Sequence, residues 1–171
     1  MRKENLIKRL RWYYPMEKFH AYVTFPLITL NVLRKHPVIE ILFLLYGLAL
    51  IIFILMQGQH YWKLKLYRLT DKEFDQRKNL DLFLKVKTIN NYLIALIPAV
   101  LLLQLYLSGW KIEMDSLMSW ALAANLFAIL EHINYYYRQL TIDNSADVKY
   151  VLTNRRLKVS SLAKDLKDNE I

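Results

Sequence analysis

Cysteine is absent from the 171-residue chain, which excludes disulfides, thiolate metal sites and cysteine nucleophiles. Glycine occurs three times and proline four times, too seldom for the many tight turns of an all-β fold. The sequence also lacks a phosphate-binding loop, a dinucleotide-binding glycine pattern, an HExxH zinc motif and a GxSxG nucleophile motif. We therefore expect no catalytic residue of a known class, no metal site and no cofactor.

The chain instead contains long apolar runs separated by charged stretches. A soluble domain of this size would show shorter amphipathic segments. The clearest run, 38–56, reads VIEILFLLYGLALIIFILM and contains one charge, which is about the length needed to cross a bilayer core. Run 92–107 is interrupted only by Pro98 and Gln104. The sequence predicts an all-α polytopic membrane protein, one domain over 1–171, with four spans in two hairpins: 19–33, 38–56, 92–107 and 117–130.

Lysine and arginine are distributed very unequally around these spans. Of 24 such residues, 21 lie before the first span, in the loop 57–91 or after residue 137, and three lie in the two other loops. The positive-inside rule places the rich side in the cytoplasm. We expect a multi-pass protein of the inner or plasma membrane with both termini cytoplasmic. The net charge of +9 is explained by topology and anionic lipid, so no nucleic-acid partner is expected.

The segments between and after the spans predict further helices on the cytoplasmic side. The loop 57–91 is interpreted as a helical hairpin, whose second helix starts at a capping box near Thr70 or, alternatively, at Asn79. Two short amphipathic helices are expected in the tail 138–171, at 147–153 and 161–168. The first dozen residues are also amphipathic and are expected to lie in the membrane interface.

The last predicted span ends in a polar cluster. Its members are Glu131, His132, Asn134, Tyr135, Arg138, Gln139 and Asp143. A helical projection places Glu131 on one face with small residues that permit close helix contact, together with Trp120 and Arg138. Glu131 is therefore expected to point into the bundle. His132, the next residue, points elsewhere and is interpreted as an interfacial side chain.

Two interpretations of Glu131 remain open. An ionisable residue at this depth is costly and favours a functional role. It is alternatively a structural acid, paired with Arg138, a loop lysine or a tyrosine hydroxyl. An acid–base or metal site would require the fold to gather Glu131 with Asp143, Asp147 and His60.

The stretch 131–166 carries the features E-x-I-N-Y, Q-L, an aspartate-bearing turn, R-R-L-K and A-K-D-L. It resembles the C-terminal part of small bacterial multi-span membrane proteins of unknown function. The resemblance covers about a fifth of the chain. It implies a bacterial source and a membrane setting, and it implies no reaction.

Three functions are compatible with the sequence. The favoured one is a non-enzymatic membrane subunit that presents a basic surface to anionic lipid headgroups or to a protein partner, through Lys63, Lys65, Arg68, Arg155, Arg156 and Lys158. The second is a homo-oligomeric transporter or channel component that uses Glu131. The third is an interfacial lipid-modifying enzyme with Glu131, Asp143 or Asp147 as acid or base.

Overall fold

The computed structural model describes residues 3–110, 116–142 and 145–171, and over these ranges its regular structure is helical, with no β-strand. The prediction of an all-α fold is confirmed. The helices are α1 Lys3–Phe19, α2 Phe25–Lys35, α3 Val38–Leu69, α4 Gln76–Leu107, α5 Ser116–Tyr136, α6 Ser145–Asn154 and α7 Ser161–Asp168.

The first two helices form one continuous rod with a wider turn inside it. Between α1 and α2, residues His20–Thr24 form a π-helical turn. The Phe25 amide donates to the His20 carbonyl, five residues back. Pro26 accounts for the wider turn, because proline has no amide hydrogen and its ring displaces the carbonyl four residues earlier.

The helix α3 is the centre of the molecule, since it packs against α1, α2, α4 and α5. Two helices among the described residues, α3 and α4, are long and apolar enough to cross a membrane. Half of the most apolar stretch of α3 is buried, whereas only 6% of that stretch of α4 is buried. The outer helix therefore exposes its apolar side chains while α3 holds the bundle together.

These two helices contain the predicted spans 38–56 and 92–107. The other predicted spans, 19–33 and 117–130, fall within the α1–α2 rod and within α5. A short link at His36 and Pro37 joins α2 to α3. The molecule is thus an all-helical protein with two helices capable of crossing a membrane.

The connection between α3 and α4 differs from the predicted capping box. Thr70 caps no helix start, because its hydroxyl donates to the Leu66 carbonyl of α3 at 2.9 Å. The new helix begins at Gln76, and Asp75 is its N-cap, whose side chain accepts from the Lys78 amide at 2.9 Å. Aspartate satisfies the unpaired first-turn amides and suits the helix dipole there. The alternative start at Asn79 is also wrong.

The tail and N-terminal helices form where the sequence predicts them. The helix predicted at 161–168 has those bounds, and the one predicted at 147–153 lies within α6. The amphipathic N-terminal segment is the first part of α1, which packs along α3. Lys3 of α1 lies 3.8 Å from Asp71. We call the end of the bundle formed by α1, the connection 70–75, α6 and α7 the basic end.

A close crossing joins α3 to α5 at the opposite end. A Cβ atom added to Gly47 would lie 2.9 Å from the backbone nitrogen of Asn125, so only glycine fits. The Asn125 amide donates to the Phe43 carbonyl at 2.9 Å. Gln104 of α4 donates to the Ile39 carbonyl at 2.8 Å. Asn125 and Gln104, polar residues inside apolar helices, thus form hydrogen bonds to the neighbouring helix α3.

Candidate functional site

A layer of buried amides and rings joins α3, α4 and α5 towards the basic end. Gln57 and Asn90 exchange two hydrogen bonds, of 3.0 and 2.8 Å. The Tyr136 hydroxyl donates to Gln57 at 2.7 Å, and the Asn90 amide lies 3.3 Å from His132 Nδ1. All four side chains are buried. Because buried polar groups are costly without partners, this polar layer (Gln57, Asn90, His132 and Tyr136) sets how the three helices pack.

Within the polar layer, His132 bridges two consecutive asparagines of α4. Its Nε2 lies 2.9 Å from the Asn91 side-chain oxygen, and its Nδ1 faces Asn90. A neutral ring with its hydrogen on Nε2 donates to Asn91 and accepts from Asn90. Burial, with a smaller contribution from Lys87, lowers the pKa of His132 to about 4. The neutral histidine therefore serves helix packing.

A cavity of about 350 Å³ opens on the other side of α5, between α1, α3, α5 and α7. Among the described residues, Glu17 of α1 and Glu131 of α5 contribute carboxyl groups to its lining. Its other lining residues include the aromatic side chains Tyr13, Tyr61, Trp62 and Tyr135, the apolar side chains Phe25, Leu55 and Phe127, and the polar side chains Arg9, Asn134 and Gln139. The predicted cluster residues Glu131, Asn134, Tyr135 and Gln139 thus meet in one cavity.

The two carboxyl groups have few partners. Glu17 accepts a hydrogen bond from the Trp62 indole at 2.8 Å, and its buried second oxygen lies beside the Tyr135 hydroxyl. Glu131 accepts one long hydrogen bond, 3.5 Å, from Asn134. Burial raises the pKa of Glu17 to about 7 and raises the pKa of Glu131 as well. Neither carboxyl forms an ion pair with any described residue.

Gly58 of α3 lets these groups come together. A Cβ atom added there would lie 2.3 Å from the Tyr135 hydroxyl oxygen and 2.7 Å from a Glu17 carboxylate oxygen. The Tyr135 hydroxyl and the Glu17 carboxylate therefore meet over the bare backbone of α3. Glycine weakens a helix interior, and its place here is explained by this close approach.

The predicted face of α5 is correct at its centre and wrong at its edge. Ala121, Ala124, Ala128 and Tyr135 are buried. Trp120 is 69% exposed, and Arg138 is also exposed. Both lie at the same edge of the projected face. Arg138 donates to the Leu157 carbonyl at 3.4 Å, so the predicted pairing of Glu131 with Arg138 is not formed. Asp143 lies outside the described residues.

Three of the six basic residues predicted to form a surface are ion-paired within the chain. Lys65 lies 2.5 Å from Asp165, and Lys158 lies 2.5 Å from Asp147. Arg68 pairs with Glu170. Lys63 lies over the Tyr67 ring, 5.4 Å from its centroid. Arg155 and Arg156, by contrast, are exposed and form no ion pair with a described residue.

The grouping of Glu131 with Asp147 and His60 is not assembled. Asp147 is held by Lys158 and by Gln139, whose amide lies 3.2 Å away. His60 bonds to Asn79 at 2.7 Å. Among the described residues no three histidine, aspartate or glutamate side chains converge on a point where a metal ion could bind.

Sequence reasoning missed Glu17, Arg9 and the contribution of α7. A signal was present in α1, where Arg9, Tyr13, Glu17 and His20 recur at helical spacing and line the cavity together. No comparable signal exists for α7, because its position depends on contacts with a helix about a hundred residues earlier.

Comparisons with known proteins do not assign the chain to a family. No protein-family model matches the chain, and no curated protein and no solved structure is significantly similar to it. Function therefore has to be argued from the cavity, the polar layer and the exposed surfaces themselves.

Proposed function

We propose that the chain is a non-enzymatic membrane protein with four spans, both termini in the cytoplasm, and a basic end that lies against anionic lipid headgroups. The bacterial inner membrane implied by the resemblance is part of this proposal. The four spans are those predicted from the sequence, 19–33, 38–56, 92–107 and 117–130.

The position of the polar residues supports four spans. Gln57 directly follows the span 38–56, Asn90 and Asn91 directly precede 92–107, and His132 lies two residues after 117–130. The hydrogen bonds of the polar layer hold these three boundaries at one level. Glu17, two residues before the remaining span 19–33, shares the cavity with Glu131. All four apolar segments thus begin or end at a common depth, as spans of one bilayer do.

Outward-facing apolar side chains support the same arrangement. They occur on all three peripheral helices at more than 39% exposure: Leu27, Ile28, Leu30 and Leu33 on α2, Leu96, Leu102 and Leu103 on α4, and Leu122, Leu126 and Leu130 on α5. Exposed apolar side chains in this number are typical of helices that face a membrane or a partner.

The observation that carries the lipid-facing role is the surface of α6 and the turn after it. Leu152 is 74% exposed and Val148 is 43% exposed. The cations Arg155 and Arg156 lie just beyond and are free of ion pairs with described residues. Apolar side chains beside unpaired cations are typical of segments at an anionic membrane surface. Each such cation contributes about 1 kcal/mol near anionic lipid.

Hydrogen–deuterium exchange in nanodiscs tests this role. The α6 segment should be protected more strongly in discs that contain phosphatidylglycerol than in phosphatidylcholine discs. The double variant Arg155→Ala/Arg156→Ala should lose most of that difference. The matched control, Lys164→Ala/Lys167→Ala, removes two exposed cations of α7 and should keep it. Equal protection in both lipids would overturn the proposal, and protection only by a co-purifying protein would favour a protein partner.

One observation favours the alternative of a transporter or channel component, namely the pair of carboxyl groups, Glu17 and Glu131, in one cavity. Ion or proton flux in proteoliposomes that is abolished by Glu131→Gln would replace the non-enzymatic proposal with this alternative.

A further inference from the structure

We propose that the cavity between α1, α3, α5 and α7 binds an ammonium group carried on a hydrocarbon stem, such as a long-chain amine or an amine-bearing lipid. The inference is independent of which lipid the basic end faces. It rests on the charge, the aromatic walls and the apolar end of the cavity.

Charge identifies the polar part of the ligand. Glu17 and Glu131 both line the cavity, and each lacks an ion-pair partner among the described residues. The donors near Glu17, the Trp62 indole and the Tyr135 hydroxyl, are both uncharged. Glu131 has one long hydrogen bond from an amide. Buried carboxylates are normally paired or neutralised. A ligand that brings an ammonium group supplies the missing positive charge, together with further donors for Glu131.

Arg9 does not supply that charge. It precedes Glu17 by eight residues on α1, which corresponds to about 12 Å along the helix. Its guanidinium lies 5.7 Å from the centroid of the Tyr13 ring, and its Nε is buried without an acceptor. The arginine therefore lies towards the basic end of the cavity and leaves the two carboxyl groups uncompensated.

Aromatic rings border the same space. Trp62 donates its indole hydrogen to Glu17, and Tyr13 stacks on Trp62 with ring centroids 6.4 Å apart. Tyr135 approaches Glu17 over Gly58. Aromatic faces attract organic ammonium ions through their negative π surface. Carboxyl groups among such rings select an organic cation over a small hydrated metal ion.

The apolar end of the cavity accounts for the hydrocarbon stem. Phe25 and Phe127 are stacked, with centroids 6.3 Å apart, and line the cavity together with Leu55. These three residues belong to the predicted spans, whereas Glu17 and Glu131 lie at the span ends. A volume of about 350 Å³ is at the lower end of the range of small-molecule sites. The cavity thus grades from polar to apolar in the direction in which an amphiphile would enter the bilayer.

Equilibrium dialysis of octylammonium against the purified chain in nonionic micelles tests the assignment, with protein-free micelles as the blank. At about pH 8 the amine is protonated, and Glu17, whose pKa burial raises to about 7, is largely ionised. We expect saturable binding near one molecule per chain. Glu17→Gln and Glu131→Gln should each weaken it about tenfold or more, the loss expected for a charge-assisted hydrogen bond. Glu73→Gln, an exposed carboxyl in the α3–α4 connection, should leave it unchanged.

Three further probes identify the chemistry. Octanol and octyl sulfate have the stem without the ammonium group, and methylammonium has the ammonium group without the stem. All three should bind at least about tenfold more weakly than octylammonium. Equal binding of octanol or octyl sulfate, or insensitivity to both glutamine variants, would overturn the proposal. Equally tight binding of methylammonium would overturn the amphiphile and leave a small amine as the ligand. None of these outcomes depends on anionic lipid, so they are separable from the nanodisc experiment.

Discussion

The Tyr61 hydroxyl of α3 donates a hydrogen bond of 2.6 Å to the Asp165 carboxylate of α7, 104 residues later in the chain. The Lys65 ammonium, one helical turn further, lies 2.5 Å from the same carboxylate oxygen. Beyond it, Arg68 donates to the Ile171 carbonyl at 2.5 Å. Three successive turns of α3 therefore hold α7 and the residues after it, and this contact keeps α7 in place as one wall of the cavity.

Asp165→Ala should release that wall. It leaves Tyr61 and Lys65 without their acceptor, and the loss of a partner by a mostly buried charge costs about 1–3 kcal/mol. We expect faster trypsin cleavage at Lys164 and Lys167 with little change elsewhere. The control Asp168→Ala removes an exposed carboxyl of the same helix and should not change cleavage. Equal cleavage of both variants would mean that the contact does not hold α7.

Among substitutions in the polar layer that roughly conserve side-chain volume, Asn90→Leu should lower the stability of the fold most. It removes both hydrogen bonds to Gln57 and the contact to His132. The loss of partners by these buried groups should lower the free energy of unfolding by about 1–3 kcal/mol. A lowered midpoint of thermal unfolding in detergent measures this. Thr88→Val, whose hydroxyl bonds only to the exposed backbone of its own helix, is the control. A midpoint for Asn90→Leu as high as that of the control would argue against the network.

Stability should fall as pH rises, because of Glu17. Burial raises its pKa from the usual value of 4.5 to about 7 in the folded chain, so between these values the folded state binds more protons than the unfolded state. Stability then decreases with rising pH across this window. Arg9, Trp62, Glu131 and Tyr135 line the cavity with it. Up to about pH 6.5 His132, whose pKa burial lowers to about 4, acts in the opposite direction. The unfolding midpoint should therefore drop mainly between about pH 6.5 and pH 8, and Glu17→Gln should remove much of the drop. An unchanged pH profile in that variant would contradict the role of Glu17.

Single cysteines decide the number of spans, since the chain has none of its own. With four spans, Glu73→Cys and Thr153→Cys should react with an impermeant maleimide from the cytoplasmic side of inverted vesicles. Lys35→Cys and Trp110→Cys should react from the opposite side. With only α3 and α4 in the bilayer, residue 153 would be labelled with residues 35 and 110, because the chain would cross just twice.

The sequence was most informative about features that depend on a single helix, such as which of its residues are buried. Alternation of small and large residues along α5 was enough to identify Ala121, Ala124 and Ala128 as buried, because helical periodicity alone assigns them to one face. The start of α4 was misplaced because Thr70 and Asp75 both have capping side chains, and backbone geometry chose between them.

The candidate site was only partly predictable. Glu131 could be recognised as unusual because it follows an apolar run. Glu17 has a signal of its own in its helical spacing with Arg9 and Tyr13, but its proximity to Glu131 could not be predicted, since α1 and α5 are brought together by the packing of both on α3. The ion pairs of Lys65 and Lys158 with aspartates could not be predicted either, because they also depend on tertiary packing. Counting basic residues predicts a side of the membrane, but it does not tell which of them remain unpaired.

The π turn at His20–Thr24 constrains how the chain can change in length. A helix advances by about 100° per residue, so the extra residue in this turn rotates α1 relative to α2. The rotation lets Glu17 of α1 and Phe25 after the turn line the same cavity. Deletion of one residue between 20 and 24 would restore regular α-helix and turn Glu17 away from α3. Homologous chains should therefore tolerate substitutions in this turn far better than a single-residue insertion or deletion.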